Sequence, residues 1–202
     1  MKPQNTAPLI IGLTGSIAMG KSTVAAMLED EGVPVFDADA AVHQLQGPGG
    51  ALIAEIESAF PGTTGPAGVD RQKLGAMVLA DKEQLVRLEA IVHPAVAAMR
   101  NHFLADHAQK PLIAFDIPLL FEKGGHSAVD HIITVSAPSD QQRQRALARP
   151  GMTVEKFESI LKLQIPDSEK RAKADSIIDT GGSMTETRQQ VQALVKKLRA
   201  AL

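Results

Sequence analysis

Apolar residues fall along this chain in two rhythms: short unbroken runs, and stripes that return every three or four positions. Pro8–Leu13 is a run that ends in glycine, and it predicts a buried strand. Lys21–Glu31 follows with Val24, Ala25, Met27 and Leu28 on one side, a helix that Gly32 stops. Val33–Phe36, Leu112–Ile117, His131–Ser136 and Ser176–Ile178 are further short runs, each predicting a strand. Helices are expected over Ala38–Gln46, broken by Gly47-Pro48-Gly49-Gly50, and over Ala51–Phe60. Pro61–Val69 is polar and rich in Gly and Pro, a loop. Three helices are then predicted, Asp70–Val78, Lys82–Val92 and Pro94–His107, with Pro94 at a helix start where its missing N–H costs nothing. Ser139–Ala148 and Thr153–Leu163 read as helices around a break at Arg149-Pro150-Gly151, and Met184–Leu202 as an amphipathic terminal helix.

The strand runs are apolar throughout rather than alternating, which suits a parallel sheet covered on both faces. Gln44–Lys110 holds helices and no strand, so it reads as a helical insertion between two core strands, of a size that serves a substrate.

Composition narrows this picture by exclusion. The 202 residues allow one domain with an insertion, and 44% apolar with 22% charged residues is ordinary for a globular protein. A net charge of −2 gives no basic footprint for nucleic acid. With no Trp or Tyr and six Phe, aromatic platforms for stacking bases are not expected. The absence of Cys removes disulfides and thiolate metal sites and fits a reducing compartment. No run approaches the roughly 20 apolar residues that span a bilayer, and the six-residue apolar stretch before Gly15 is too short for a signal-peptide core. A cytoplasmic protein with no membrane partner is expected. His43, His102, His107, His126 and His131 show no metal-ligand spacing and read as surface or structural residues.

Between the first strand and the first helix stands Gly15-Ser16-Ile17-Ala18-Met19-Gly20-Lys21-Ser22, which satisfies G-x-x-x-x-G-K-[ST]. Such a loop wraps a phosphate with backbone N–H groups, which requires glycine's freedom and small side chains. The following helix aims its N-terminus at the same anion. Lys21 then reaches the β- and γ-phosphates, the Ser22 hydroxyl is offered to Mg²⁺, and Thr23 lies on the α-phosphate side. A nucleoside triphosphate bound with magnesium is the expectation.

Asp37 and Asp39 follow the second strand, at the edge that lines the ligand crevice of an open α/β sheet. A carboxylate there accepts a hydroxyl proton or orients a nucleophile, and either residue also suits a helix N-cap before Ala40. Asp116 ends the run LIAF; it fits the magnesium shell, and equally a strand-end turn. Arg143, Arg145 and Arg149 lie after the fourth strand, with Arg145 and Arg149 four apart on one expected helix face. They suit a lid that closes on phosphates, or a solvated basic surface.

The ordered segments GLTGSIAMGKST (Gly12–Thr23), VFDADAAV (Val35–Val42), IVHP (Ile91–Pro94), DIPLLFE (Asp116–Glu122) and QIPDSEKRAKADSIIDT (Gln164–Thr180) resemble the dephospho-CoA kinase family over about 170 of 202 residues. The resemblance implies an α/β P-loop NTPase fold, with a parallel five-stranded sheet flanked by helices, a helical acceptor-binding insertion and a small lid. It divides a single kinase domain, 8–202, into a core of 8–43, 111–138 and 174–202, an acceptor region of 44–110 and a lid of 139–173. It implies transfer of the ATP γ-phosphoryl to the ribose 3′-hydroxyl of dephospho-CoA, with Mg²⁺. Asp39 matches the family's base and ranks above Asp37. His93, Pro94, Leu119, Leu120, Phe121 and Glu122 match acceptor-site segments. Arg145 matches the lid arginine, with Gln142 as the glutamine before it, and Arg149 joins the nucleotide side. ATP and dephospho-CoA are the expected partners of a monomer or weak homo-oligomer.

The chain departs from the family pattern in places. Ser16, Ala18 and Met19 replace two glycines and a serine of the usual loop, and Ala18 either avoids positive φ or strains the loop. Pro150 stands where an Asp commonly follows the lid arginine. Ile160 removes a second lid cation, for which Lys162 is a weak substitute, and Thr180 stands where Asn is usual. A kinase for another small acceptor would carry the same loop and carboxylates. A nucleotide-dependent switch or regulatory ATPase that binds a protein partner is the other alternative, and the N-K-x-D run usual in GTP-binding switches is absent.

Overall fold

The computed structural model of the chain describes residues 7–79 and 81–202. The first six residues, part of the stretch read as too short for a signal core, lie outside them. The described residues fall into two compact units, one of residues up to Phe36 with His107–Leu202, the other Asp37–Asp106.

The first unit is built on a parallel sheet. β1 (Leu9–Thr14) is its central strand, β5 (Leu112–Asp116) lies on one side and β6 (His131–Ser136) on the other. β2 (Val35–Asp37) and β7 (Ser176–Asp179) form the edges, in the order β2-β5-β1-β6-β7. Leu13 pairs with Asp116 and Ile133, so the register sets the end of β5 beside the end of β1. Unbroken apolar runs are what a strand buried on both faces needs, and Ile11, Leu13, Ile113, Ile133 and Val135 are all fully buried. α1 (Lys21–Asp30) and α9 (Met184–Ala200) cover the sheet through Val24, Met27, Leu28, Val191, Val195 and Leu198. Each such side chain contributes roughly 1.5–3 kcal/mol by leaving water. Ser183 and Glu186 close a reciprocal capping box at the start of α9. α6 (Ser139–Leu147), α7 (Val154–Lys162) and α8 (Asp167–Lys173) complete this unit, with a short 3₁₀ turn at Gly125–Ala128.

The second unit holds α2 (Ala38–Gln46), α3 (Ile53–Ala59), α4 (Arg71–Val78) and α5 (Lys82–Asp106) around Leu45, Leu52, Ile56, Phe60, Leu74 and Val78. The reading of this stretch as strand-free is corrected: β3 (Thr64–Gly65) and β4 (Gly68–Val69) form a small antiparallel hairpin. Gly68 turns it at φ 93, pressed so closely on the Gln46 carbonyl that no Cβ fits. Glu57 fixes its entry, accepting from the Gly62 and Thr64 N–H groups and the Thr64 hydroxyl.

Pro94 does not start a helix. It lies inside α5, a single helix of 25 residues, where two were expected. Pro94 and Ala90 are both exposed, so the carbonyl left without its i+4 donor lies on the solvent side. α8 was not expected at all.

Candidate active site

The phosphate loop joins β1 to α1 within the first unit. Gly15 sits so close to β6 that a Cβ would lie 2.7 Å from the Val135 carbonyl oxygen. Gly20, at φ 88, is the N-cap of α1. Ala18 has φ 61, the only non-glycine residue with positive φ among the described residues. A side chain in that region costs roughly 1–2 kcal/mol, which the loop bears as local strain. Ala18 is buried with Ala146 and Phe157, and Ile17, Leu147, Met152 and Leu161 surround them. The Ile17 N–H donates to Gln164 Oε1 at 3.0 Å, and Gln142 Nε2 donates to the Ile17 carbonyl at 2.9 Å. Gly15–Thr23 line a concavity with Pro118, Arg149, Ile160 and Gln164.

Lys21 forms an ion pair with Asp116, which is 4% exposed at the end of β5. The register that sets Asp116 opposite Leu13 is what brings the carboxylate to the loop. Ser22 is exposed in the first turn of α1.

The three arginines part company. Arg143 faces Glu158 at 3.7 Å on the surface. Arg145 donates to the Thr180 hydroxyl and carbonyl at 3.1 and 2.7 Å and to Gln141 at 3.2 Å. Thr180 in turn donates to the Met19 carbonyl at 2.7 Å, so Arg145 reaches the phosphate loop through one residue. Arg149 does not share a helix face with it, because α6 ends at Leu147 and a Pro150-Gly151 turn follows; it is exposed on the rim of the concavity.

After β5, Leu120 is fully buried beside Gly12 and Gly125 and supports its segment from beneath, while Leu119 and Phe121 are half-buried. Glu122 Oε1 lies 2.8 Å from the ammonium of Lys170, which is 0% exposed, and accepts from the Ile165 N–H at 2.9 Å. The pair is close but poorly aimed: neither Lys170 Nζ nor Glu122 Oε2 completes a hydrogen bond. Burial pushes the Glu122 carboxyl up, but the Lys170 ammonium and backbone N–H donors outweigh it and hold it below the ordinary glutamate value.

In the second unit, Asp37 settles the capping question, since its carboxylate accepts from the Ala40 N–H at 2.9 Å as the N-cap of α2. Asp39 is in the first turn of α2 and exposed, and among the described residues no hydrogen bond or ion pair engages its carboxylate. Its carbonyl meets His43 Nδ1 at 3.2 Å, and His43 Nε2 meets Arg71 at 2.6 Å. Arg71 can only donate, so His43 Nε2 is the acceptor of that bond. His93 and Pro94 are exposed on α5.

A model of one protein family, described as dephospho-CoA kinase, matches residues 9–186. The chain belongs to the dephospho-CoA kinase family. A dephospho-CoA kinase of Novosphingobium aromaticivorans is 64% identical over 194 residues, 96% of each chain. The solved protein TT1252 of Thermus thermophilus superimposes with a TM-score of 0.84 at 35% identity, covering 96% of this chain and 99% of that one. A dephospho-CoA kinase from Campylobacter jejuni has the same fold at 24% identity, TM-score 0.64, over 94% of this chain and 96% of its own. Among the described residues no helix is long and apolar enough to cross a membrane.

Gln164, Lys170 and Arg71 escaped the reading of single residues in this dephospho-CoA kinase family member. Gln164 and Lys170 lie in the QIPDSEKRAKAD segment, whose match to the family was the available signal. Arg71 had none.

Proposed function

We propose that the chain transfers the γ-phosphoryl of ATP to the ribose 3′-hydroxyl of dephospho-CoA, giving coenzyme A and ADP, with the roles divided between the two units. The observation that carries this is the phosphate loop, shaped and held in a member of the dephospho-CoA kinase family. The loop N–H groups and Lys21 bind the phosphates and spread the charge that develops during transfer. Arg145, fixed on Thr180 beside Met19, is the lid arginine that helps spread the charge, and Arg149, on the rim of the concavity, joins the nucleotide side.

Asp39 hydrogen-bonds the 3′-hydroxyl and accepts its proton. Its support is chemical: it is a carboxylate without a competing partner, whereas Asp37 is taken up by the α2 cap. His93 and Pro94 border the acceptor, as do Leu119, Phe121 and Glu122, with Leu120 beneath them.

Mg²⁺ fits the donor set in one way. No cluster of three or more acidic or histidine side chains exists among the described residues. Ser22 offers a hydroxyl and Asp116 a carboxylate, a sparse set that suits an ion keeping its waters and completing its shell with phosphate oxygens. Ser22 would hold it directly and Asp116 through water. When bound, the ion supplies charge neutralisation on the phosphates. We place the enzyme in the cytoplasm, where ATP and a reduced thiol product coexist, as a monomer or weak homo-oligomer.

The test is an assay with ATP, Mg²⁺ and dephospho-CoA, AMP, CMP, adenosine or no acceptor, read by mass spectrometry. Phosphate gained by dephospho-CoA alone is the expected result. Transfer to a mononucleotide would void the acceptor assignments, and ATP binding without any transfer would favour a nucleotide-dependent switch.

A further inference from the structure

Ile17 is the one loop residue whose N–H and carbonyl are both taken by side chains from the 139–173 segment. The two bonds act on different peptide planes. Gln164 holds the plane between Ser16 and Ile17 by accepting the Ile17 N–H at 3.0 Å. Gln142 holds the plane between Ile17 and Ala18 by donating to the Ile17 carbonyl at 2.9 Å. The next rotation along the chain is φ of Ala18, which stands at 61 in the left-handed region. A carbonyl needs a donor and an N–H an acceptor, so the orientation of both amide side chains is forced.

We infer that Gln142 and Gln164 are positioning residues for phosphate binding: together they lock the two peptide planes before Ala18 and keep the loop in its anion-binding shape although an alanine occupies a glycine-type conformation. Glycine there would adopt φ 61 without strain, and the loop would need less holding. With alanine the relaxed loop prefers negative φ, and the Gln142 bond opposes that rotation directly. Gln142 is 6% exposed on α6, beside Ala146, which packs on Ala18. Gln164 is secured from behind, because the neighbouring Ile165 N–H donates to Glu122, the partner of buried Lys170. This inference rests on the reading of Gly15–Thr23 as the phosphate loop.

The test is a double-mutant cycle between Gln142→Met and Ala18→Gly, with the KM for ATP, the KM for dephospho-CoA and kcat measured for each protein. Gln142→Met is expected to raise the KM for ATP about tenfold and leave that for dephospho-CoA unmoved, as loss of one buried hydrogen bond allows. In the Ala18→Gly background, taken against that single variant, the same substitution is expected to raise the KM for ATP no more than about threefold. Equal factors in both backgrounds overturn the inference. So does a fall in kcat alone, which a merely less stable protein would give. If Gln142→Met does not fold, Gln164→Met completes the same cycle under the same criteria. Calorimetric titration of the wild type with ATP separates the two readings. A wild type that does not bind ATP overturns the phosphate loop and the clamp with it, whereas binding with additive losses overturns the clamp alone.

Discussion

In the unit that carries the phosphate loop, most of the groups proposed to bear the chemistry are held by partners, Ser22 and Arg149 being the exposed exceptions. Lys21 is paired with Asp116, Ile17 is gripped at both polar atoms, Arg145 is fixed on Thr180, and Glu122 is set against Lys170. In the unit Asp37–Asp106, the groups proposed for the acceptor stand in solvent: Asp39, His93 and Pro94 are exposed, and among the described residues the Asp39 carboxylate has no partner. Stabilising a polyanion calls for dipoles already in place, since reorganising them during transfer would forfeit most of their effect. A base must keep its lone pairs available for the incoming hydroxyl, and such bonds often form only in the substrate complex. On the proposed roles, fixed geometry belongs to the phosphates and availability to the acceptor.

Breaking the acceptor side is expected to have the largest effect. Asp39→Asn should lower kcat by about 10²–10⁴-fold while the calorimetric Kd for ATP stays within about twofold. Loss of ATP affinity of the same size would show that the division of labour is wrong. On the phosphate side, Lys21→Met removes a proposed phosphate contact and also the cation paired with the buried Asp116 carboxylate. A loss of about 3–5 kcal/mol is expected in denaturant unfolding. Adding Asp116→Leu should recover most of that stability and none of the activity.

Lys170→Met should cost about 3 kcal/mol for the same reason, by stranding Glu122. The Glu122 carboxyl is held below its unfolded value, so its contribution is complete above the ordinary glutamate pKa and disappears as pH falls through the lowered folded value. Unfolding followed from pH 6 downward should show that loss in the wild type and a flatter profile in a Glu122→Gln, Lys170→Met double variant. The smallest effect sharpens the contrast from the other direction. Pro94→Ala restores an N–H inside α5 and should stabilise the protein by about 1–3 kcal/mol, while the KM for dephospho-CoA rises and that for ATP does not move.

The strand, loop and helix from Leu9 to Asp30 were legible because each residue there has a local backbone reason, and Asp116 because a strand end has few places to go. Pro94 was misplaced because a proline at a helix start and an exposed proline within a long helix leave the same local pattern. α8 could have been found from its charges: Asp167 and Glu169 open it and Lys170, Arg171 and Lys173 close it, matching the helix dipole. The burial of Lys170 could not, since a lysine among basic neighbours reads as solvated until its distant partner is in place. Arg145 and Arg149 were grouped by spacing, which assumes a helix that the Pro150 turn does not allow.

The sheet order has a consequence for how the chain is made. β1 is made before the other strands of its sheet but is the central one, and its neighbours are Leu112–Asp116 and His131–Ser136. At roughly 5–20 residues per second, several seconds to some tens of seconds separate its synthesis from the arrival of its second neighbour. During that interval LIIGLT lacks a neighbour on at least one side. The helices of Asp37–Asp106, whose contacts are close in sequence, are synthesised in the meantime and should fold first. The earliest-made strand of the sheet is thus among the last to gain both its neighbours, which makes it the stretch where a chaperone would bind during synthesis.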